Sequence, residues 1–198
     1  MKKTLLMLTL LLAPLAVCAQ QVQFAHFSTS DLLPSLPDYR KAYDELGALR
    51  KQLADEWQTM YDEFLAKQEK YQKEVNEQTP AAIRERRIAE LEQLGQRLEQ
   101  TQKDFQQQIS QAESQKLEPI LKKVNDAINT VARAGNFVYV IDKNSALSNN
   151  FFINEALSVD VTSRLQEALG ITPEDIAAGK AFVTRMQQEA QQQQGAAQ

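Results

Sequence analysis

The fold of this chain is decided by residues 43–71, which read YDELGALRKQLADEWQTMYDEFLAKQEKY. Large apolar side chains recur there in alternating steps of three and four residues, the spacing that keeps one face of a helix against a partner helix. The two sets of seam positions are Tyr43, Arg50, Trp57, Phe64 and Tyr71, and Leu46, Leu53, Met60 and Lys67. The pattern predicts the outgoing arm of a long helical hairpin over residues 39–134.

A second apolar seam, on the returning arm, changes register after Phe105. It first reads Leu91, Leu94, Leu98, Thr101, Phe105, Gln108 and Ala112. From Ile109 the apolar face continues through Leu117, Leu121, Val124, Ile128 and Val131. An insertion of four residues locally unwinds a coiled coil, so we expect the simple two-helix contact to end near this point.

A turn at Asn76–Pro80 separates the two seams. Proline inside a helix costs about 3 kcal/mol, whereas proline as the first helical residue is well tolerated. We therefore expect Thr79 to be the N-cap of the returning arm and Pro80 to be its first residue. Each arm would have roughly 37 residues and a length on the order of 55 Å, which predicts arms that project from a small domain.

Composition argues against chemistry performed at a dedicated site. The 198-residue chain has a formal charge of −4 and contains one histidine and one cysteine. A catalytic centre built on these residues or on clustered metal ligands is therefore nearly excluded, and an acidic chain lacks the basic surface of a nucleic-acid binder. Carboxylate pairs such as Asp62–Glu63 fall at adjacent helix positions that point apart. We expect no enzyme activity, no cofactor, no metal and no nucleic-acid partner.

Residues 1–19 have the pattern of a secretory signal peptide. Two lysines precede an apolar run from Leu5 to Leu12, which is too short to span a membrane because spanning takes ~20 apolar residues. Cleavage between Ala19 and Gln20 would leave a mature charge of 20 − 26 = −6. Lipidation at Cys18 stays open as an alternative, although Val17 fits a lipoprotein signal poorly.

The residues outside the hairpin predict a small α+β body. Val22–Phe27 and Phe137–Ile141 have strand composition, and a further strand is expected around Phe151–Ile153. Residues 28–37 and 142–145 read as turns. Because strands lie on both sides of the hairpin, we expect the first two to pair in one sheet, with the hairpin as an insertion.

The C-terminal part predicts two helices and a tail. A short helix at Ser163–Leu169 is stopped by Gly170, and Thr172–Asp175 has the cap, proline and acidic residues of a helix start. That helix is expected to reach about Glu189, with a disordered low-complexity tail after it. The expected domains are a signal peptide, a β-body in two pieces, a hairpin arm and a C-terminal helix with a Gln-rich tail: 1–19, 20–38 with 135–170, 39–134 and 171–198.

Together these features resemble the Skp (OmpH-like) family of periplasmic chaperones, over about residues 22–169. The most specific parts are Tyr139–Asp142 and Asp160–Leu165. The resemblance implies a homotrimer, in which three small sheets form a central body and three hairpins enclose a cavity. It also implies a periplasmic location, unfolded outer-membrane β-barrel proteins as partners, and no use of ATP.

Two groups of residues are candidates for these roles. Methionine and aromatic side chains adapt to varied partners, and the client-binding candidates are Met60, Tyr61, Phe64, Leu65, Tyr71, Val75, Ile83 and Ile88. A sheet of two or three strands is marginal unless it is covered, and the oligomerisation candidates are Val22, Phe24, Val138, Val140 and Ile141. The seam residues Tyr43, Leu46, Leu53, Trp57, Met60 and Phe64 are expected to pack mainly against the returning arm.

Several features leave alternatives open. The best-known member of the family is basic and this chain is acidic, so contact with lipopolysaccharide or membrane does not follow from the resemblance. The Arg84–Arg87 cluster is either a solvated helix face or a contact for acidic partners, and His26 is expected to be structural. The alternative function is a structural or adaptor role, in which the hairpin docks to one defined periplasmic partner.

Overall fold

The structure, a computed structural model, describes residues 22–149 and 152–196. Its elements are β1 (Gln23–Phe27), α1 (Thr29–Ser35), α2 (Pro37–Glu74), α3 (Ala81–Ala134), β2 (Phe137–Asp142), α4 (Lys143–Ser148), β3 (Ser158–Asp160), α5 (Thr162–Ala168) and α6 (Pro173–Ala196). The predicted α+β class, with a long helical hairpin inserted between the strands of a small sheet, is confirmed. The expected signal peptide, with Cys18 and the Ala19–Gln20 bond, lies outside the described residues, as does Phe151.

Contacts divide the described chain into two units. The hairpin unit is Leu36–Lys123, and the sheet unit takes the residues up to Ser35 and from Val124 onward. The core of the sheet unit consists of Ala25, Phe27, Leu32, Val124, Ala127, Val131, Ala146, Val161, Leu165 and Phe182. These side chains come from β1, from five helices and from the residue before α5, so the unit is held together by residues far apart in the sequence.

The sheet has the strand order β2-β1-β3, and both pairings are parallel. The predicted pairing of the Val22 and Phe137 segments is confirmed, with Phe24 opposite Tyr139 and His26 opposite Ile141. Parallel neighbours need a long crossover connection, and between β1 and β2 the hairpin supplies it. A register shift between Gln23 and Phe24 places a bulge next to Val138.

The third strand lies at Ser158–Asp160, so the prediction of a strand around Phe151–Ile153 is wrong. Residues 142–145 were predicted to form a turn but begin helix α4 instead. The helix starts there because the Asp142 carboxylate accepts hydrogen bonds from the backbone N–H groups of Asn144 and Ser145. Phe152 is 91% exposed. Phenylalanine has a high strand propensity, but propensity alone does not form a strand when no neighbouring strand pairs with the segment.

The segment before the hairpin is also a helix rather than a turn. The carbonyl oxygen of Ser28 accepts hydrogen bonds from the N–H groups of Asp31 and Leu32, and the Ser28 hydroxyl accepts a third bond from Asp31. These bonds start α1. The N-cap of α2 is Leu36. Asp38 lies in the first turn, where a negative charge is favourable to the helix dipole.

The turn between α2 and α3 is closed differently from the prediction. The carbonyl oxygen of Pro80 accepts hydrogen bonds from Ile83 and Arg84, so α3 begins at Ala81. The Thr79 hydroxyl accepts a 3.0 Å hydrogen bond from the backbone N–H of Asn76. Thr79 therefore stabilises the turn and does not act as the expected N-cap.

The C-terminal helix is longer than predicted. Its start is confirmed, because Thr172 and Asp175 exchange side-chain-to-backbone hydrogen bonds of 3.1 and 3.2 Å in a capping box. Its predicted end near Glu189 is wrong, since α6 continues to Ala196. Glutamine is a good helix former, so a Gln-rich sequence extends the helix where the low-complexity pattern indicated disorder.

Candidate functional site

The two arms of the hairpin unit are antiparallel, and four ion pairs record their register. The pairs are Asp38–Lys123, Glu45–Lys116, Arg50–Glu113 and Glu74–Arg87. The number of the residue on α2 rises from pair to pair while that of its partner on α3 falls. Exposed ion pairs contribute little to stability, so these contacts report the alignment of the arms more than their cohesion. The hydrogen bond from Lys116 lowers the pKa of Glu45.

The side chains of the apolar seam become less buried toward the turn between α2 and α3. Leu46, Leu53 and Leu98 are buried, at 3 to 9% exposure. Between Ala54 and Arg97, in contrast, not one side chain is buried. The half-buried seam residues there include Trp57, Met60, Phe64, Tyr71, Leu91 and Leu94. The outer half of the hairpin therefore keeps apolar surface accessible that the sequence pattern had assigned to a packed seam.

At the other end of α3 the buried face agrees with the prediction at Val124 and Val131 and departs from it at Leu121. The buried residues are Ile120, Val124, Ala127 and Val131, at steps of four, three and four, whereas Leu121 is 46% exposed. A helix turns by about 100° per residue, so a one-residue difference rotates Leu121 away from that face. The prediction that Leu121 belongs to the apolar face is wrong.

All eight client-binding candidates lie within the outer half of the hairpin. Leu65, Ile83 and Ile88 are exposed, each at about two fifths of its surface. Met60, Tyr61, Phe64, Tyr71 and Val75 are half-buried. They are distributed over both arms and the turn and do not converge on one pocket, which is an arrangement for many weak contacts.

A cleft that the candidate set missed lies between the arms. It has a volume of 440 Å³, and its lining comes from both helices of the hairpin: Arg50, Leu53, Ala54, Trp57, Gln58, Gln102, Phe105, Gln106 and Ile109. The sequence showed Trp57 and Phe105 only as seam residues. The sequence feature that could have predicted the cleft is the run of glutamines on the returning arm, which lies beside the large aromatic residues of the seams.

Trp57 is an unusual member of that lining. Its ring stacks on Tyr61, with centroids 5.0 Å apart and ring planes 11° from parallel. Its Nε1 atom is buried, and among the described residues it is the one buried side-chain nitrogen or oxygen without a hydrogen-bond partner. An unsatisfied buried donor costs about 1–3 kcal/mol, and nearly all such groups in folded proteins are paired.

Three exposed apolar side chains share one face of the sheet. Phe24, Tyr139 and Ile141 lie on it, exposed by 43, 61 and 37%. The rings of Phe24 and Tyr139 stack with centroids 6.2 Å apart. On the opposite face, Ala25 and Phe27 are buried, as the alternation of side chains along a strand requires.

The oligomerisation candidates divide between these two faces. Phe24 and Ile141 lie on the face that also carries Tyr139, which we call the open face. Val22 and Val138 are exposed beside it. Val140 pairs with Ala25 on the other face and is half-buried. Tyr139 was missed. The alternation of the strand contained that information, since Tyr139 and Ile141 are two residues apart.

The carboxyl ends of the three parallel strands are tied together by side chains from the two most specific segments of the family resemblance. The backbone N–H of Thr29 donates to Asp142 at 3.0 Å, and that of Ser28 donates to the Thr162 hydroxyl at 3.1 Å. His26 is buried, and its Nδ1 lies 2.9 Å from the Ser158 hydroxyl. His26 is therefore structural, as expected.

Both aspartates at this edge are stabilised as carboxylates. Partial burial opposes ionisation of Asp142, but hydrogen bonds from Thr29, Ser145 and Asn144 outweigh it and lower the pKa of this carboxyl. Partial burial also opposes ionisation of Asp160. Hydrogen bonds from Thr162 lower its pKa, and electrostatic interaction with His26 and Lys143 lowers it further. These acids have structural roles at strand ends.

The arginine cluster near the turn is partly engaged within the chain. Arg87 lies 3.8 Å from Glu74 and 3.9 Å from Glu90. Arg84 is half-buried, and Arg86 is exposed. The cluster thus has the character of a solvated helix face in this protomer.

No group of three or more histidine, cysteine, aspartate or glutamate side chains within residues 22–149 and 152–196 has the arrangement of a metal site. In the same parts of the chain, no helix combines the length and apolar character that crossing a membrane requires.

The fold and these surfaces define a class of α+β protein in which a coiled-coil hairpin is inserted into a small parallel sheet. Residues 23–169 match the family described as outer membrane protein (OmpH-like), and the chain belongs to this family. The OmpH-like, or Skp, family comprises periplasmic chaperones of outer-membrane proteins. A search among curated proteins finds no match. The family match ends at Leu169, so α6 lies beyond it.

Proposed function

We propose that this protein is an ATP-independent periplasmic holdase, which binds unfolded outer-membrane β-barrel proteins and prevents their aggregation. The observation that carries the proposal is the seam between Ala54 and Arg97, which is rich in large apolar residues and buries none of them. Burying one such side chain against a client contributes about 1.5–3 kcal/mol. Several contacts of this size hold a client without a specific pocket and release it without nucleotide.

The proposal includes a homotrimer with a cavity for the client between its hairpins. The sheet face with Phe24, Tyr139 and Ile141 supports assembly, because apolar surface that is exposed in one protomer favours burial between subunits. Sister subunits are the simplest cover for it. Val22 and Val138 would extend that interface.

Export is part of the same proposal. Residues 1–19 would be removed as a signal peptide between Ala19 and Gln20, which places the chain in the compartment of its family. The domain bounds are proposed as before, with the β-body at 20–38 and 135–170, the arm at 39–134 and the C-terminal extension at 171–198. With a mature charge of −6, client capture would depend on apolar contact more than on charge.

The test is a light-scattering assay of an unfolded β-barrel protein diluted from urea, with the purified chaperone in several-fold molar excess and no nucleotide. The triple variant Leu65→Ser, Ile83→Ser, Ile88→Ser should suppress aggregation several-fold less well than the wild type, because it removes the three exposed apolar candidates. Leu121→Ser is the matched control, since Leu121 is similarly exposed at the other end of the hairpin unit.

Two outcomes would count against the proposal. No suppression by the wild type would remove the holdase function. Equal suppression by the triple variant and the Leu121→Ser control would remove the role of the outer arm. Capture of one folded partner, in place of many unfolded ones, would favour an adaptor role.

A further inference from the structure

The cleft around Trp57 combines two kinds of lining. Leu53, Trp57, Phe105 and Ile109 provide apolar walls, and Gln58, Gln102 and Gln106 provide exposed amide groups. A glutamine amide both donates and accepts hydrogen bonds and carries no charge. Such a lining is complementary to a segment that has an apolar side chain and a polar, uncharged backbone.

The unpaired Trp57 N–H indicates what the occupant must supply. Among the described residues, no group accepts a hydrogen bond from this nitrogen. An occupant that pairs with the Trp57 N–H must bring a hydrogen-bond acceptor into an apolar cleft. The backbone carbonyl of a polypeptide does so at every residue, whatever the sequence, whereas the acyl chain of a lipid does not.

We propose that this cleft is a binding subsite for one extended segment of an unfolded polypeptide, in which a client backbone carbonyl accepts a hydrogen bond from Trp57 Nε1. The inference rests on the proposed holdase function and specifies one place on the arm where it operates. It also specifies chemistry, since the subsite selects for an apolar side chain beside a free carbonyl and not for a particular sequence.

Access to the nitrogen requires a movement of the ring, because Nε1 is covered while the Trp57 side chain as a whole is half-buried. The neighbouring seam position is occupied by Arg50, a charged side chain that forms an ion pair with Glu113. The seam therefore lacks a large apolar side chain at this position. Rotation of the indole toward the cleft would expose the N–H to the client and leave Leu53 buried.

The sequence makes the test unusually direct, since Trp57 is the single tryptophan of the chain. The full-length protein labelled with ¹⁵N at the indole nitrogen gives one indole resonance. A synthetic peptide of alternating apolar and polar residues should shift the indole proton downfield as the hydrogen bond forms. A maltoside detergent below its critical micelle concentration is the lipid-like probe and should not produce that shift.

A second measurement separates binding from packing. Replacement of Trp57 by benzothienylalanine, in which sulfur takes the place of the N–H, keeps the shape of the ring and removes the donor. We expect peptide affinity to fall about fivefold, the effect of one hydrogen bond, while the melting temperature stays equal or rises. Leu121→Ser is the control, because it changes an exposed side chain of the hairpin unit away from the cleft and should leave affinity unchanged.

The outcomes are distinct. An indole resonance that does not move on peptide binding, in a protein that still suppresses aggregation, overturns the subsite and leaves the holdase function standing. A downfield shift with detergent equal to that with peptide also overturns it, because an apolar chain would then suffice. Absence of aggregation suppression by the wild type overturns both proposals.

Discussion

At the scale of residues, the side chains that make the family resemblance specific have a structural task. Asp142 accepts from Thr29, Asn144 and Ser145, and in this way joins the end of β2 to the start of α1 and to its own helix α4. Asp160 accepts from the N–H of Thr162 at 2.8 Å and starts α5. Their presence in this pattern therefore identifies the fold, and only through the fold the function.

Asp142→Asn tests this assignment through the dependence of stability on pH. The folded protein lowers the pKa of Asp142, so the carboxylate contributes stability above its unfolded-state pKa, and the contribution is lost as the pH falls from about 4 downward. The variant should lose about 1 kcal/mol at pH 7 and show a shallower loss between pH 5 and pH 3. Denaturant titrations at these pH values, on an Asp142→Asn and a Glu77→Gln protein, measure the difference. An unchanged acid limb in Asp142→Asn would contradict the role assigned to this carboxylate.

The residues of the candidate site were predictable only in part. Leu65, Ile83 and Ile88 could be recognised because they are apolar and lie outside the heptad positions. The unpaired Trp57 N–H could not, since whether a donor finds an acceptor depends on the side chains of the facing helix. Tyr139 was recoverable from strand alternation alone.

At the scale of elements, the parts of the chain with many repeats of one pattern were predicted best. The hairpin repeats its apolar spacing over many turns, and each repeat supports the same helix. The short elements α1, α4 and β3 have no such redundancy. Helices α1 and α4 form where Ser28 and Asp142 make short-range capping bonds, a weak signal in the sequence. Strand β3 forms because β1 offers a free edge to Ser158–Asp160, a condition that arises only in the folded chain.

The contact between α6 and α1 is the element-scale feature that the sequence did not reveal. Gly179 is buried, and a Cβ atom built there would lie 2.8 Å from the backbone of Pro34 and Ser35. The helices thus approach closely at a position that only glycine fills without displacement. Phe182, at 5% exposure, adds apolar contact one turn further along.

Gly179→Ala should therefore destabilise the protein by roughly 1–3 kcal/mol, the range for overpacking in a tight contact. Gly95→Ala is the matched control, because Gly95 is in α3 with open space around its Cβ position. Alanine is the better helix former, so this control should stabilise the protein by about 0.5–1 kcal/mol. Opposite signs in urea unfolding would establish the contact; two stabilised variants would show that α6 does not pack tightly on α1.

At the scale of the whole molecule, the sheet unit connects the burial pattern to assembly. Helices α1, α5 and α6 contribute to a core on which one sheet face packs, while Phe24, Tyr139 and Ile141 remain open on the other. In a single protomer each of these three side chains keeps more than a third of its surface exposed. A second and third copy of the chain would bury them and thereby stabilise the small sheet.

Tyr139→Asp tests this argument, because a charge on the open face would have to be buried on assembly, which is costly unless it is paired. We expect the sedimentation coefficient to change from that of a trimer to that of a monomer, with a lower melting temperature because the sheet loses its cover. Ser163→Asp, on the exposed first turn of α5, introduces the same charge away from that face and should remain trimeric. Aggregation suppression by Tyr139→Asp should fall with the oligomer, since a cavity between hairpins requires several chains. A Tyr139→Asp protein that sediments as the wild type would place the interface elsewhere, and a wild type that is monomeric at micromolar concentration would exclude the trimer.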